Sequence, residues 1–446
     1  MDFKTIYSTI SLCPICMKKL DADIIVEDNQ AFMIKSCSEH GDFKTVIWKG
    51  SIPIESWIRK KERAYIQNPT TKIEKGCPFD CGLCEAHRQH TCTALIEVTG
   101  NCNLSCHYCF ANSHGTKHQN PTLDQIKFQY ESILRASGKC NIQLSGGEPT
   151  LRDDLPEIVK MGTELGFDFI QINTNGIRLA NDEVYVNDLK NSGLSSVFLQ
   201  FDGTKDDIYE ALRGRALYDL KLQAIRNCQK ANIGVVLVPT LVPGVNLDNI
   251  GEIIKLGIRY APVVKGVHFQ PVSYFGRVPE VPKDTDRITL PQVMDEIHKQ
   301  TGGIIGIETM KPPGCENALC SFHGNYVINE NGLMNITKRS SCCDDIEKAE
   351  EGAIKAKAFV ARNWAYQKPK CCDGGHSDWD KILNTLQNNS FSISAMAFQD
   401  VWNVNLERIK DCCIHVSTLD GKLIPFCMYN ITNAEGNSIY RTNNVN

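Results

Sequence analysis

Cys102, Cys106 and Cys109 fall within eight residues in GNCNLSCHYCFAN (100–112), with Tyr108 and Phe110 on either side of the last. A structural zinc site takes four protein ligands, and this knot offers three. A four-iron cubane held by three thiolates keeps one iron open to a small chelating ligand, so the missing ligand is itself a chemical signal. Just upstream, GCPFDCGLCEAHRQHTC (76–92) places Cys77, Cys81, Cys84 and Cys92 within sixteen residues. Four thiolates there suit one zinc or one cubane, and the nearness of the second knot favours iron and sulfur. His87 and His90 are expected on the solvated side of that loop.

Two further cysteine regions frame these. CPIC (13–16), an apparent strand pair and CSEHG (37–41) have the layout of a zinc ribbon or rubredoxin-like knuckle, with Cys13, Cys16 and Cys37 on one iron or zinc. His40 is the candidate fourth ligand, against the reading that it is a polar turn residue. Beyond residue 276 come cysteines 315, 320, 342, 343, 371, 372, 412, 413 and 427. Adjacent cysteines point apart, so each doublet gives at most one ligand to a given cluster.

The chain carries 21 cysteines in 446 residues, and its N-terminus lacks the basic start and long apolar run of an export signal. Clustered cysteines in a reducing compartment argue for metal ligation rather than a disulfide framework. Isolated Cys140 and Cys228 read as small buried hydrophobes, and His268 and Trp402 as packing. Lys plus Arg number 48 against 52 Asp plus Glu, a net charge of -4, which gives no nucleic-acid footprint. No stretch approaches about 18 consecutive apolar residues, so the expectation is a cytoplasmic protein without a spanning helix.

Positioning these groups requires a scaffold, and residues 95–275 supply its pattern. Apolar strands are expected at 94–99, 141–147, 167–175, 195–203, 234–242 and 264–271, with amphipathic helices between them. Six such βα units predict an α/β fold with a parallel sheet, a full or partial (β/α)6 barrel. Active residues of such barrels sit at strand C-termini. Here the six strands end at TGNC, GGEPT, NTNG, QFDG, PTLVPG and QP, a convergence that ordinary turns explain poorly. The expected division is a metal module at 1–60, a cluster segment at 61–94, the barrel at 95–275 and a cysteine-rich C-terminal domain at 276–446.

The CxxxCxxC pattern after the first strand, with Tyr108 before its last cysteine, resembles the signature of radical S-adenosylmethionine (SAM) enzymes. The resemblance extends through Gly146, Gly147, Glu148 and Pro149, similar to the family's segment that hydrogen-bonds the methionine amino group. It also reaches Asn173, Asn175, Gln200 and Asp202, where family strand ends contact the ribose or shape the substrate side. It implies a [4Fe–4S] cluster on Cys102, Cys106 and Cys109, SAM on the open iron, and a 5'-deoxyadenosyl radical that abstracts hydrogen from an unactivated C–H bond. Position, dryness and protection from quenching are what the protein then contributes.

The N-terminal CPIC and CSEHG turns, CENALCSFHGNY (315–326) and RIKDCCIHVSTLDGKLIPFCMYN (408–430) resemble one group of this superfamily. It contains archaeal tetraether lipid synthases and related proteins described as methyltransferases of a pterin precursor. That resemblance implies two auxiliary [4Fe–4S] clusters besides the mononuclear site, the C-terminal one assigned to Cys315, Cys320, Cys412 and Cys427. It also implies a low-potential donor such as ferredoxin or flavodoxin. The leading expectation is joining of two lipid alkyl chain ends, with an apolar tunnel lined by NSFSISAMAF (389–398) and peripheral membrane contact. The alternative is C-methylation of a pterin in a shorter, polar pocket. A non-catalytic iron–sulfur carrier is disfavoured by the strand-end residues.

Overall fold

The computed structural model describes residues 4–115, 118–330, 332–337, 348–366 and 389–441. Cys342, Cys343, Cys371 and Cys372 lie outside the described residues.

Four antiparallel strands open the chain: β1 (Lys4–Leu12), β2 (Lys19–Glu27), β3 (Gln30–Cys37) and β4 (Gly41–Trp48), in sheet order β1-β2-β3-β4. Burial alternates along β3, so one face packs and the other is wetted. The β2–β3 hairpin turns on Asp28 and Asn29, at φ 49° and 59°, the left-handed pair that a tight hairpin requires. Buried Lys35 docks this module by donating from Nζ to Ser11 Oγ and the Val401 carbonyl, each at 2.9 Å.

Six parallel strands form the centre of the second sheet: β5 (Thr93–Thr99), β6 (Asn141–Gly146), β7 (Ile170–Thr174), β8 (Ser196–Gln200), β9 (Gly234–Val238) and, after the short β10 (Thr240–Leu241), β11 (Val264–Pro271). All six were legible as apolar runs, and GVVLV of β9 is buried throughout, as a sheet covered on both faces demands. Helices such as Leu123–Ser137 connect them; this one starts on a capping box in which Thr122 and Gln125 satisfy each other's backbone N–H groups.

The C-terminal strands do not stack as a separate layer. They are β12 (Ser321–Asn329), β13 (Gly332–Asn335), β14 (Ser390–Met396), β15 (Ile414–Ser417) and β16 (Leu423–Pro425). The sheet runs β13-β12-β14-β11-β9-β8-β7-β6-β5-β15-β16. Both flanks of the six-strand centre are therefore made by the C-terminal half, with β14 parallel to β11 and β15 parallel to β5. The helix Ala349–Asn363 crosses the N-terminal ends of the strands. Its Ala353 carbonyl meets Cys92, its Lys357 carbonyl meets Asn141, and the Trp364 carbonyl lies against Gly234.

Candidate active site and metal centres

The loop after β5 is held by backbone pairings rather than by regular structure. Cys102 donates to the Gly115 carbonyl at 2.8 Å, while Cys109 and Arg277 exchange both backbone hydrogen bonds at 3.0 and 2.9 Å. The Arg277 guanidinium donates to the carbonyls of Cys106 (2.8 Å) and Ser113 (3.1 Å), a clamp that no sequence spacing announced. The thiols of Cys102, Cys106 and Cys109 all line one cavity of about 2020 Å³. Burial pushes the Cys102 thiol up to about 12, and a bound iron would reverse this by stabilising the thiolate. Tyr108 lines the same cavity and meets Tyr274 edge-on at 6.2 Å.

The glycine segment lies against this loop. A Cβ on Gly146 would come within 2.2 Å of the Thr99 carbonyl, and one on Gly147 within 2.0 Å of the Asn101 carbonyl. Only glycines let the two strand ends meet this closely. Glu148, buried, accepts from Thr150 N (3.1 Å), Thr150 Oγ1 and Thr174 Oγ1 (both 2.6 Å) and Asn175 N (2.7 Å). Its carboxylate thus ties the end of β6 to the end of β7. Pro149 starts a short helical turn and is not on the cavity wall.

The strand-end polar residues divide into two kinds. Asn173 lines the cavity with a buried Oδ1 that has no partner among the described residues, an acceptor open to a donor such as a ligand N–H or O–H. Gln200 lines it too, its Oε1 accepting from buried Lys221 Nζ at 3.2 Å. Asn175 lines the cavity as well but its side chain is already engaged, and Asp202 is engaged off the wall. Asn175 donates to Asn103 Oδ1 at 2.7 Å and accepts from Ile177 N at 3.0 Å. Asp202 is fully buried off the cavity wall, holding Arg213 through two 2.7 Å bonds and accepting from Thr240 N at 3.1 Å. Asp202, expected to contact the ribose or shape the substrate side, does not reach the cavity: its carboxylate is taken up by Arg213, which does line the cavity beside Cys106.

A second thiol triad faces the same cavity from the other end of β5. Cys92, Cys315 and Cys413 place their sulfurs within 4.8 Å of one another, all buried. Cys92 immediately precedes β5 and Cys413 immediately precedes β15, and Cys92 N donates to the Cys413 carbonyl at 2.8 Å. Burial holds the Cys315 thiol well above its ordinary range. The seven residues of β5, about 23 Å of strand, separate this triad from Cys102.

This geometry corrects the grouping expected from spacing. Cys92 belongs with Cys315 and Cys413, because the strand pairing of β5 with β15 sets its neighbours, and not with the loop of Cys77, Cys81 and Cys84. In that loop Cys77 and Cys81 hydrogen-bond each other, and Cys84 is close enough to raise Cys81 further. Cys320, Cys412 and Cys427 interact with one another, so the Cys412–Cys413 doublet does send its two thiols to different sites. His87 is buried rather than solvated: its Nε2 lies 2.7 Å from the Cys412 carbonyl and 3.3 Å from His415 Nε2. His268 also departs from plain packing. It lines the cavity, with Nδ1 on Ser394 Oγ at 2.9 Å, and burial lowers it to about 4, so the ring is neutral.

At the N-terminal module Cys13, Cys16, Cys37 and His40 converge. His40 Nδ1 lies 3.6 Å from Cys13 Sγ and 3.4 Å from Cys37 Sγ, and the sulfurs of Cys16 and Cys37 are 4.0 Å apart. Three sulfurs and one ring nitrogen suit tetrahedral zinc. The Glu39 backbone N–H, then His40, lower the Cys37 thiol to about 6, which readies a thiolate ligand.

The Radical SAM superfamily pattern matches residues 96–257, and the pattern of the HMPTM N-terminal zinc ribbon domain matches residues 5–49. A Methanocaldococcus jannaschii 7,8-dihydro-6-hydroxymethylpterin dimethyltransferase is 35% identical over 95% of this chain and 93% of its own. The chain belongs to the radical SAM superfamily. It is a radical SAM enzyme with an N-terminal zinc ribbon, and its cofactors are SAM and [4Fe–4S] iron–sulfur. A probable GTP 3',8-cyclase of Methanococcus aeolicus is 25% identical over 62% of this chain and 95% of that protein. Among solved structures, Streptococcus suis SuiB bound to precursor peptide SuiA overlaps 48% of this chain and 46% of its own at 15% identity, with a TM-score of 0.40.

Proposed function

We propose that this radical SAM enzyme is a C-methyltransferase acting on a pterin-type heterocycle. The observation that carries this reading is the chemistry of the cavity wall between the two thiol triads. Inward positions supply Gln143 and Ser145 of β6, Asn173 of β7, Gln200 of β8, His268 and Gln270 of β11, and Ser392 and Ser394 of β14. Amide, hydroxyl and neutral imidazole groups suit the ring nitrogens and exocyclic polar groups of a pterin. The dimethyltransferase relative spanning nearly the whole chain supports the same substrate class. The leading expectation of lipid-chain joining asks for an apolar tunnel. Of residues 389–398, Phe391, Ala395, Met396 and Phe398 line the cavity, but so do Ser390, Ser392 and Ser394. No described helix is long and apolar enough to cross a membrane.

The donor sets present fit the implied groups. Cys102, Cys106 and Cys109 would hold the SAM-binding cluster, and the triad Cys92, Cys315 and Cys413 an auxiliary one; Cys77, Cys81 and Cys84 on one side and Cys320, Cys412 and Cys427 on another are further thiols, from which a second auxiliary cluster would take no more than four. When bound, cluster and SAM together supply one-electron cleavage and hydrogen-atom abstraction. The chain's own residues do the rest. Asn173 accepts from the ligand, the Gly146–Gly147 approach keeps the loop against the sheet, and Arg213, fixed by Asp202, presents positive charge beside Cys106. A low-potential electron donor completes the system.

The test is anaerobic incubation of reconstituted enzyme with SAM and reductant, supplied in parallel reactions with 7,8-dihydro-6-hydroxymethylpterin or with diether lipid vesicles. The expected products are 5'-deoxyadenosine and methionine from radical generation, and pterin heavier by one or two methyl groups with one S-adenosylhomocysteine per methyl, since further SAM is the one-carbon source supplied. Joined chains from diether lipid, with unchanged pterin, would refute the proposal.

A further inference from the structure

We propose that the cavity mouth beside Cys92, Cys315 and Cys413 reads a phosphate ester on the substrate, a refinement that rests on the proposed function. Among the described residues, the cavity wall carries ten Lys and Arg side chains (Arg59, Lys60, Lys61, Arg63, Arg88, Arg213 and four more) against four acids, Glu148, Glu316, Glu351 and Asp411. The whole chain has 48 against 52, so the basic excess is local.

Its placement is specific. Lys61 Nζ donates to the carbonyls of Cys315 (2.7 Å) and Glu316 (3.0 Å), which seats the run 59–63 at this triad. The backbones of Glu62 and Lys348 form an isolated parallel bridge, and Ala349 N donates to the Glu62 carbonyl at 2.9 Å, joining that run to the helix Ala349–Asn363. Arg59, Lys60, Arg63 and Lys348 are exposed on the cavity rim, and among the described residues none of them forms an ion pair. Of the other cations, Arg88 is held by Glu407 and Asp411, Arg213 by Asp202 and Lys355 by Glu351, so the rim set is what stands free of ion pairs; the acids of the wall are engaged as well. Asp411 holds Arg88 at 2.9 Å, Glu351 faces Lys355 at 3.7 Å, Glu316 accepts from Ser321 at 2.5 Å, and Glu148 sits in its buried network.

Bound clusters answer part of this charge, but their thiolates are buried while the rim cations stand in solvent, where screening separates the two. Several flexible cations around one opening suit a multiply charged oxyanion better than a single carboxylate. A heterocycle lying across the amide and hydroxyl belt would present its substituent to this rim, and a one-signed cleft also concentrates an anionic substrate at its mouth.

The experiment has two readouts. Binding of inorganic pyrophosphate to the reconstituted enzyme is measured by calorimetry for wild type and for the triple variant Lys60→Glu, Arg63→Glu, Lys348→Glu. In parallel, turnover is compared for the hydroxymethylpterin, its phosphate ester and diether phospholipid vesicles. Pyrophosphate should bind wild type and lose about tenfold or more in affinity in the variant, the sum of three modest surface terms. The phosphate ester should outrun the free alcohol in kcat/KM by a similar factor, while 5'-deoxyadenosine released without substrate is unchanged in the variant. Turnover of vesicles alone would keep the phosphate reading and move its source to a lipid headgroup. Equal use of alcohol and ester, or equal pyrophosphate binding by variant and wild type, would overturn it. Pyrophosphate binding that depends on the rim, without pterin turnover, would uphold this inference while the methyltransferase reading fell.

Discussion

The two thiol triads at the ends of β5 differ in what holds them. Cys102, Cys106 and Cys109 sit on an irregular loop whose shape depends on Arg277, Gly115 and the glycine pair at 146–147. Cys92, Cys315 and Cys413 are fully buried, and two of them are fixed by the register of a strand pair. A loop clamped from outside can leave one face open for a ligand; a triad set by sheet pairing is held by the fold itself. The first has the properties of a place where chemistry starts, the second those of a fixed partner across the cavity.

Breaking the loop end should have the largest effect. Cys106→Ala is expected to reduce 5'-deoxyadenosine formation to background by chromatography, while the iron bound at the other triad survives. Glu148→Ala comes next. It leaves the donors of Thr150, Thr174 and Asn175 without their acceptor in a buried site, and should lower unfolding free energy by about 3 kcal/mol or more in denaturant titration. Asp202→Ala strands Arg213 as a buried unpaired cation, with an expected loss of about 3–5 kcal/mol at most and a raised KM for SAM. A KM unchanged from wild type would make the pair structural only. The smallest effect on catalysis should come from His40→Ala, which removes one ligand of the zinc ribbon: metal analysis should show one zinc fewer per chain, with SAM cleavage retained.

The same contrast explains what the sequence disclosed. All six central strands and the loop triad were readable because their determinants are local: an apolar run, a glycine pair, three cysteines in eight residues. The second triad was not, since Cys92, Cys315 and Cys413 come from three distant segments and only the pairing of β5 with β15 brings two of them together. Spacing suggested instead that Cys92 belonged with its sequence neighbours. Asp202 misled for a related reason. A strand-end carboxylate looks like a ligand group until its partner Arg213, eleven residues on, is seen to take both oxygens. His268 lay in an apolar strand and gave no signal apart from its position near the strand's C-terminal end.

The account rests on one substrate lying between the two triads, and Cys413→Ala tests this most directly. Under anaerobic turnover with SAM, reductant and the hydroxymethylpterin, the variant should still release 5'-deoxyadenosine but form no methylated pterin. Methylation at the wild-type rate by Cys413→Ala protein would contradict it.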